Sequence, residues 1–221
     1  MRHGSRRSTW VDMGRYRTPG VRLGVRRRYR DVTPFLGTWY EIERFYADYE
    51  ANGKCTKVEY STTPDGRIAL ISTALHARTG RPLVSYGVGS FDYSDLSRMS
   101  VRLSPTPSSP EPEEFPYLVL DTDYESYAVL FSCSSLCRGQ YHTETAWILG
   151  RAAAISRGTL GQIYSRLRGI GIDPKRFLAV DQSDCVDVSV AVRSDDPNFV
   201  FSRNRARNFL AGFNSNNFLR R

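Results

Sequence analysis

The sequence predicts an all-β domain, an antiparallel barrel or sandwich with one helix near its C-terminal end. Three observations carry this expectation. From Phe35 onward, short apolar runs are separated by the turn signals Pro64-Asp65-Gly66, Thr79-Gly80-Arg81-Pro82, Asp92 to Ser97 and the Pro-rich stretch Ser104 to Pro116, a spacing that suits hairpin-connected strands. Within several runs the side chains alternate with period two. A single segment, Thr159 to Gly169, has good helical spacing.

Gly37-Thr38-Trp39-Tyr40-Glu41-Ile42 opens the first strand. In Cys55 to Ser61, Thr56, Val58 and Tyr60 share the face expected to point inward, and Lys57 and Glu59 the other. In Arg67 to Leu75, Ile68, Leu70 and Ser72 oppose Ala69, Ile71 and Thr73; both faces are fairly apolar, as in a strand lying under a helix. Tyr117 to Leu120 and Tyr127 to Phe131 read as two strands joined through Thr122-Asp123-Tyr124, whose Thr and Asp side chains suit a hairpin turn. In Thr143 to Arg151, Thr145, Trp147 and Leu149 fall on one wall, and Glu144, Ala146 and Ile148 on the other. The helix places Leu160, Ile163, Tyr164 and Leu167 on one stripe, with Gly169 positioned to stop it. Phe177 to Val180 is a candidate edge strand.

The 221 residues suit one well-buried domain with tails. Net charge is +8, unevenly distributed: residues 1–30 hold ten Arg against one Asp, residues 186–221 six Arg against three Asp, and residues 31–185 fifteen basic against nineteen acidic side chains. The basic character therefore belongs to the ends. Residues 1–33 are an Arg-rich arm without apolar period, expected to be disordered. Residues 34–185 form the domain, and residues 186–221 are a basic, Asn- and Phe-rich tail.

Cys55, Cys133, Cys137 and Cys185 lack zinc-ligand or thioredoxin spacing, which points to disulfides and an oxidising compartment rather than a metal. The N-terminal stretch carries no apolar run of secretory-signal length, and no segment approaches the ~20 apolar residues that span a bilayer. Catalytic candidates are poor. His3, His76 and His142 have no spacing to a nucleophile or carboxylate, Gly87-Val88-Gly89 lacks the rest of a dinucleotide fingerprint, and Glu111 to Glu114 reads as a solvated loop.

Gly37, Trp39, Thr122-Asp123-Tyr124 and Arg151, in that order, resemble the signature of the lipocalin family. The neighbouring text, Trp39-Tyr40-Glu41-Ile42-Glu43, Asn52-Gly53-Lys54-Cys55, Asp123 to Ala128 with Phe131-Ser132-Cys133, Ala146 to Arg151, and Val180-Asp181-Gln182 before Cys185, resembles its apolipoprotein D and Lazarillo branch. The resemblance implies an eight-stranded up-and-down antiparallel β-barrel with one C-terminal α-helix packed on it. Trp39 would plug one end, Gly37 would permit the sharp turn into the strand, and the Arg151 guanidinium would lie across the Trp39 ring.

By the same resemblance, Cys55 pairs with Cys185. The family's partner for Cys133 lies upstream of Gly37, where this chain has no cysteine. Either Cys133 is free, or it pairs with Cys137, or the N-terminal sequence is not the native one; the last is favoured, since signal and cysteine are both missing where Arg-rich sequence stands. Tyr60, Ser72, Tyr117, Trp147 and Leu149 take the positions of the ligand pocket, with Ser72 replacing a polar Asn. The stretch Ser104 to Pro116 departs from the family's apolar rim, and no Asn-x-Ser/Thr site occurs.

The implied function is non-enzymatic: reversible transport of a small hydrophobic ligand such as a fatty acid, sterol, retinoid or bilin, with no resident cofactor, in a secreted protein. Roles in lipid handling and oxidative stress belong to the same inheritance. Implied partners extend to a cell-surface receptor or lipoprotein, and the protein itself would be a monomer or a disulfide-linked dimer. Two readings rank lower. The Arg-rich arm, interleaved with Trp10, Tyr16 and Tyr29, could bind nucleic acid or anionic membrane. An isomerase on the same barrel would have Tyr60 and Tyr117 as its acid or base candidates.

Overall fold

A computed structural model describes residues 31–48, 50–103, 114–136 and 141–186. The expectations attached to residues 1–30 and 187–221, to most of the Ser104 to Pro116 stretch and to Cys137 lie outside the described residues. Eight strands run in sequence: β1 (Gly37–Phe45), β2 (Gly53–Thr62), β3 (Ile68–His76), β4 (Pro82–Asp92), β5 (Asp95–Leu103), β6 (Glu114–Thr122), β7 (Tyr127–Leu136) and β8 (Tyr141–Gly150). Each pairs antiparallel with the next, and β1 also pairs with β8, closing an eight-stranded barrel. Closure leaves no barrel strand with an unpaired edge to template aggregation. α1 (Arg157–Gly169) follows, and β9 (Phe177–Ala179) then pairs with the far half of β1.

Alternation assigns the faces of β2 and β8 as expected. Tyr60, Trp147 and Leu149 join the core inside the barrel, while Ala146 and Ile148 join a second core outside it. β3 differs from expectation, for α1 does not cover it. Ile163 and Leu167 of α1 pack instead with Leu118, Leu120, Val129, Phe131 and Ile148 of β6, β7 and β8. That outer face offers large apolar side chains, whereas β3 offers Ala69, Ile71 and Thr73, which stay half-exposed; burial of apolar area decides between the two walls.

The helix is two residues longer than the apolar stripe suggested, because Ser156 supplies the N-cap, its Oγ accepting from Thr159 N at 3.0 Å. It ends at Gly169, yet the left-handed residue is Gly171 (φ +90°), where Ile172 N turns back to Leu167 O at 3.0 Å. Thr33–Phe35 is a short 3₁₀ helix, and Phe35 is buried against Trp39 and Tyr60.

After β9 the chain is tied to the barrel. Cys55 and Cys185 form a disulfide, Cys55 N donates to Asp181 O at 2.7 Å, and Gln182 Nε2 donates to the carbonyls of Glu41 and Thr56 at 2.7 and 2.9 Å. Among the described residues Cys133 has no disulfide partner, and it is buried in the outer core. Glu114 and Pro116, read as part of a loop, belong to β6, where Glu114 accepts from Ser100 Oγ and Arg102 Nη2.

Candidate functional site

One end of the barrel is sealed. Gly37 enters β1 at φ +92°, a conformation that a side chain would strain, and its pro-side-chain direction points at Arg151. Trp39 is fully buried, its indole N–H donating to Phe35 O at 2.8 Å. The Arg151 guanidinium lies 3.6 Å from the Trp39 ring centroid and donates to the carbonyls of Tyr124, Thr38 and Pro34. In the β6–β7 turn, Thr122 Oγ1 bonds Tyr127 O at 2.6 Å and accepts from Tyr124 N at 2.9 Å. Burial pushes the Asp123 carboxyl up, but the Ser126 hydroxyl and the N–H groups of Tyr127, Ser126 and Glu125 outweigh it and hold it below the usual range. The six motif residues thus form one plug.

Above the plug lies an inner chamber of about 120 Å³. All five residues expected to form the pocket, Tyr60, Ser72, Tyr117, Trp147 and Leu149, border it. Tyr117 and Trp147 stack with centroids 5.2 Å apart and planes 17° apart. These two and Leu103 also border a wider space of about 410 Å³ at the opposite end, lined further by Tyr46, Ala47, Asp48 and Phe115. Chamber and mouth therefore share a wall.

Gly87 and Gly89 let core side chains pack close to β4. They sit on the inner face of β4, where an added Cβ would come within 2.7 Å of Leu70 and Met99 respectively. They are packing glycines in a strand, in keeping with their dismissal as a nucleotide motif.

Three charged residues clustered beside the chamber were not among the expected site residues: Glu41, Arg44 and Glu50. A β-bulge between Glu41 and Glu43 shifts the register of β1 against β8, and Arg44 is buried together with Glu41. Arg44 Nη1 donates to Glu41 Oε1 at 2.7 Å, and its Nη2 to the carbonyls of Glu50 and Gly53 at 2.5 and 3.1 Å. Glu50, in the β1–β2 connection, accepts from Trp147 Nε1 at 3.1 Å and borders the chamber with Glu41. Burial, then the neighbouring Glu41, push the Glu50 carboxyl up to about 8, against the pull of Trp147 and Arg44. Burial likewise raises Glu41, with Arg44 opposing. Glu41 was legible, since it stands two residues after the inward Trp39; Glu50 lies in a loop and gave no periodic signal.

The histidines stay apart from this cavity. His76 Nδ1 accepts from Arg78 N and Thr79 N in the β3–β4 turn, and His142 lies 3.6 Å from Glu144. Burial, followed by Glu41 and Glu50, raises the Tyr60 phenol well above its ordinary value, which keeps it neutral. A separate cleft under α1 is lined by Leu120, Ile163 and Leu167, and its polar members Asp121 and Arg166 are bonded to each other. No helix among the described residues is long and apolar enough to cross a membrane.

A closed eight-stranded barrel, a Gly-x-Trp plug under an arginine and one helix on the outer wall coincide with a match of residues 30–182 to the lipocalin-like domain family. The chain belongs to the lipocalin family. It is 31% identical to apolipoprotein D of Mus musculus over 158 residues, which is 71% of this chain and 79% of that protein. It is 27% identical to the Lazarillo protein of Schistocerca americana, covering 69% and 70% of the two chains. The structure of lobster apocrustacyanin A1 superposes with a TM-score of 0.60 at 23% identity, covering 72% of this chain and 83% of that one, a likeness of fold. Lipocalins are characteristically non-catalytic binding and transport proteins, typically secreted, and a lipocalin barrel suits small hydrophobic ligands.

Proposed function

We propose that this lipocalin binds and carries a small hydrophobic molecule reversibly, a fatty acid, sterol, retinoid or bilin in general outline, without covalent chemistry. The observation that carries the reading is the stacked Tyr117–Trp147 wall shared by chamber and mouth. The chamber alone is smaller than the roughly 300–1,000 Å³ of ordinary ligand sites, and the mouth falls within that range; a ligand would occupy both. Micromolar affinity corresponds to about 8 kcal/mol. About ten buried methylenes at ~0.8 kcal/mol each supply that amount before the loss of ligand freedom is subtracted, so a lipid-sized apolar body is needed. Likeness to apolipoprotein D and Lazarillo supports lipid handling as the setting and secretion as the location, and an oxidative-stress role rests on that likeness alone.

The test is a titration of tryptophan fluorescence in the full chain with palmitate, arachidonate, retinoic acid, progesterone and biliverdin. Saturable quenching at micromolar ligand, lost in a folded Trp147→Ala variant, is expected. A folded protein that none of the five quenches would overturn the reading.

A further inference from the structure

Among the described residues, the charged side chains that border the cavity are all acidic. Glu41 and Glu50 face the inner chamber, beside the hydroxyl-bearing Thr56, Tyr60 and Ser72. The nearby cation, Arg44, does not border it: its guanidinium is turned to Glu41 and to the carbonyls of Glu50 and Gly53. β3, β4, β5, β7 and β8 bring Ser72, Ser85 and apolar or aromatic side chains to the chamber, β6 brings Tyr117, and none of these elements brings a charged group. At the mouth the charged side chains among the described residues are Asp48 and Glu144, both acidic; on its outer side Glu144 meets Arg176 and His142.

An independent observation lies in the same wall. Thr56 is 5% exposed, and its Oγ1 has no hydrogen-bond partner among the described residues. A buried polar atom without a partner is costly, and a ligand donor placed between Thr56 and Glu50 would satisfy it.

We propose that the cavity is selective for hydrophobic amines, the ammonium group donating to the Glu50 carboxylate and the Thr56 hydroxyl while the apolar body lies along Tyr117 and Trp147. The inference rests on the carrier reading and narrows its ligand class. An ammonium group gains attraction to a carboxylate in a low-dielectric site and to the faces of the aromatic pair. Once Glu50 is ionised, above about pH 8, a carboxylate head of the same length meets like charge, with no cation bordering the chamber among the described residues. Trp147 Nε1 holds Glu50 at the chamber wall, so the ion pair needs no rearrangement of that side chain.

Because Glu50 titrates near 8 in the unliganded protein, at neutral pH it enters the reaction largely protonated. The step is R–NH₃⁺ plus Glu50–COOH giving the R–NH₃⁺ and Glu50–COO⁻ pair plus a proton released to solvent. Amine affinity therefore rises between pH 6 and 8.5. A carboxylate ligand, which would need Glu50 to keep its proton as a donor, weakens over the same interval.

Decylamine, decanol and decanoate share one apolar body and separate the head group from the cavity. In the full chain at pH 8.5, decylamine is expected to bind at least tenfold more tightly than decanoate, with decanol between. Glu50→Gln should lower amine affinity about tenfold and so narrow the preference for decylamine over decanol. Calorimetry of the unmutated protein at pH 7 in phosphate and in Tris supplies a readout independent of the variant, with proton release on amine binding expected. Decanoate binding as tightly as decylamine, or proton uptake with the amine, overturns the inference while decanol binding keeps the carrier reading. If none of the three binds the folded protein, the carrier reading falls and this inference with it.

Discussion

The Arg151 side chain joins four parts of the barrel through Trp39: its guanidinium lies 3.6 Å from the ring centroid, and Nε, Nη1 and Nη2 donate to Tyr124 O, Thr38 O and Pro34 O at 3.0, 3.0 and 2.6 Å. The 3₁₀ helix, β1, the β6–β7 turn and the end of β8 all meet there. An arginine between an aromatic face and three carbonyls leaves its donors matched and the ring shielded from water, the arrangement for which its planar fork is suited.

Arg151→Ala removes a cation–π contact of ~0.5–2 kcal/mol and leaves carbonyls to find water. A loss of about 2–4 kcal/mol is expected, read as a lower urea midpoint at unchanged slope. Arg151→Lys should recover less than half, since one ammonium cannot reach three diverging carbonyls. An alanine variant within about 0.5 kcal/mol of the parent, inside the usual range for an ordinary surface substitution, would show that barrel packing alone holds Trp39.

The Cys55–Cys185 bridge spans 130 residues. In the chain-entropy model a loop of that size contributes about 4–5 kcal/mol by constraining the unfolded chain. The same segment is also held by Cys55 N to Asp181 O and by Gln182 to two carbonyls, so Cys55→Ser with Cys185→Ser should keep the barrel at 25 °C with a reduced Tm. Retention of native near-ultraviolet dichroism with a clear fall in Tm is the expected result; an unchanged Tm contradicts it.

Much of this was legible because its signals are local or strictly periodic. Gly37, Trp39 and Arg151 announce the plug by order and type, and alternation puts Tyr60, Trp147 and Leu149 inside. Of the polar cluster, Glu41 was legible from its spacing to Trp39; Arg44 was not, because a bulge between Glu41 and Glu43 breaks the period, and Glu50 lies in a connection that has none. In Gly169-Ile170-Gly171 either glycine could have taken the left-handed turn, and only the tertiary seat of Ile172 in the outer core selects Gly171. The two apolar faces of β3 fit a strand under a helix equally well until the larger side chains of β6 to β8 compete for it.

Burial, and then the nearby Glu144, push the Cys133 thiol up to about 11. At pH 8 it is almost wholly protonated, and the thiolate is the reactive species. Iodoacetamide should leave the Cys133 peptide unlabelled in the native protein and label it in concentrated guanidinium without reductant, as mass spectrometry would resolve. Rapid native labelling contradicts the buried thiol, and failure to label after denaturation would place Cys133 in a bridge.

The Glu50 carboxyl titrates at about 8 in the folded chain against an ordinary 4.5. Between those values the folded state retains a proton that the unfolded state has released, so stability from this group is greatest below about pH 4.5 and is lost as pH rises through about 8. Glu50 borders a cavity beside the Glu41 carboxyl, so its share is about 1–3 kcal/mol, below what an isolated buried charge would cost. Glu50→Gln keeps an acceptor for Trp147 Nε1 and removes the titration. The variant should match the parent near pH 5 and exceed it by that margin at pH 8.5, in urea melts across the range. Parallel pH profiles for the two proteins would mean that water in the cavity solvates the carboxylate and that Glu50 titrates as an ordinary surface acid.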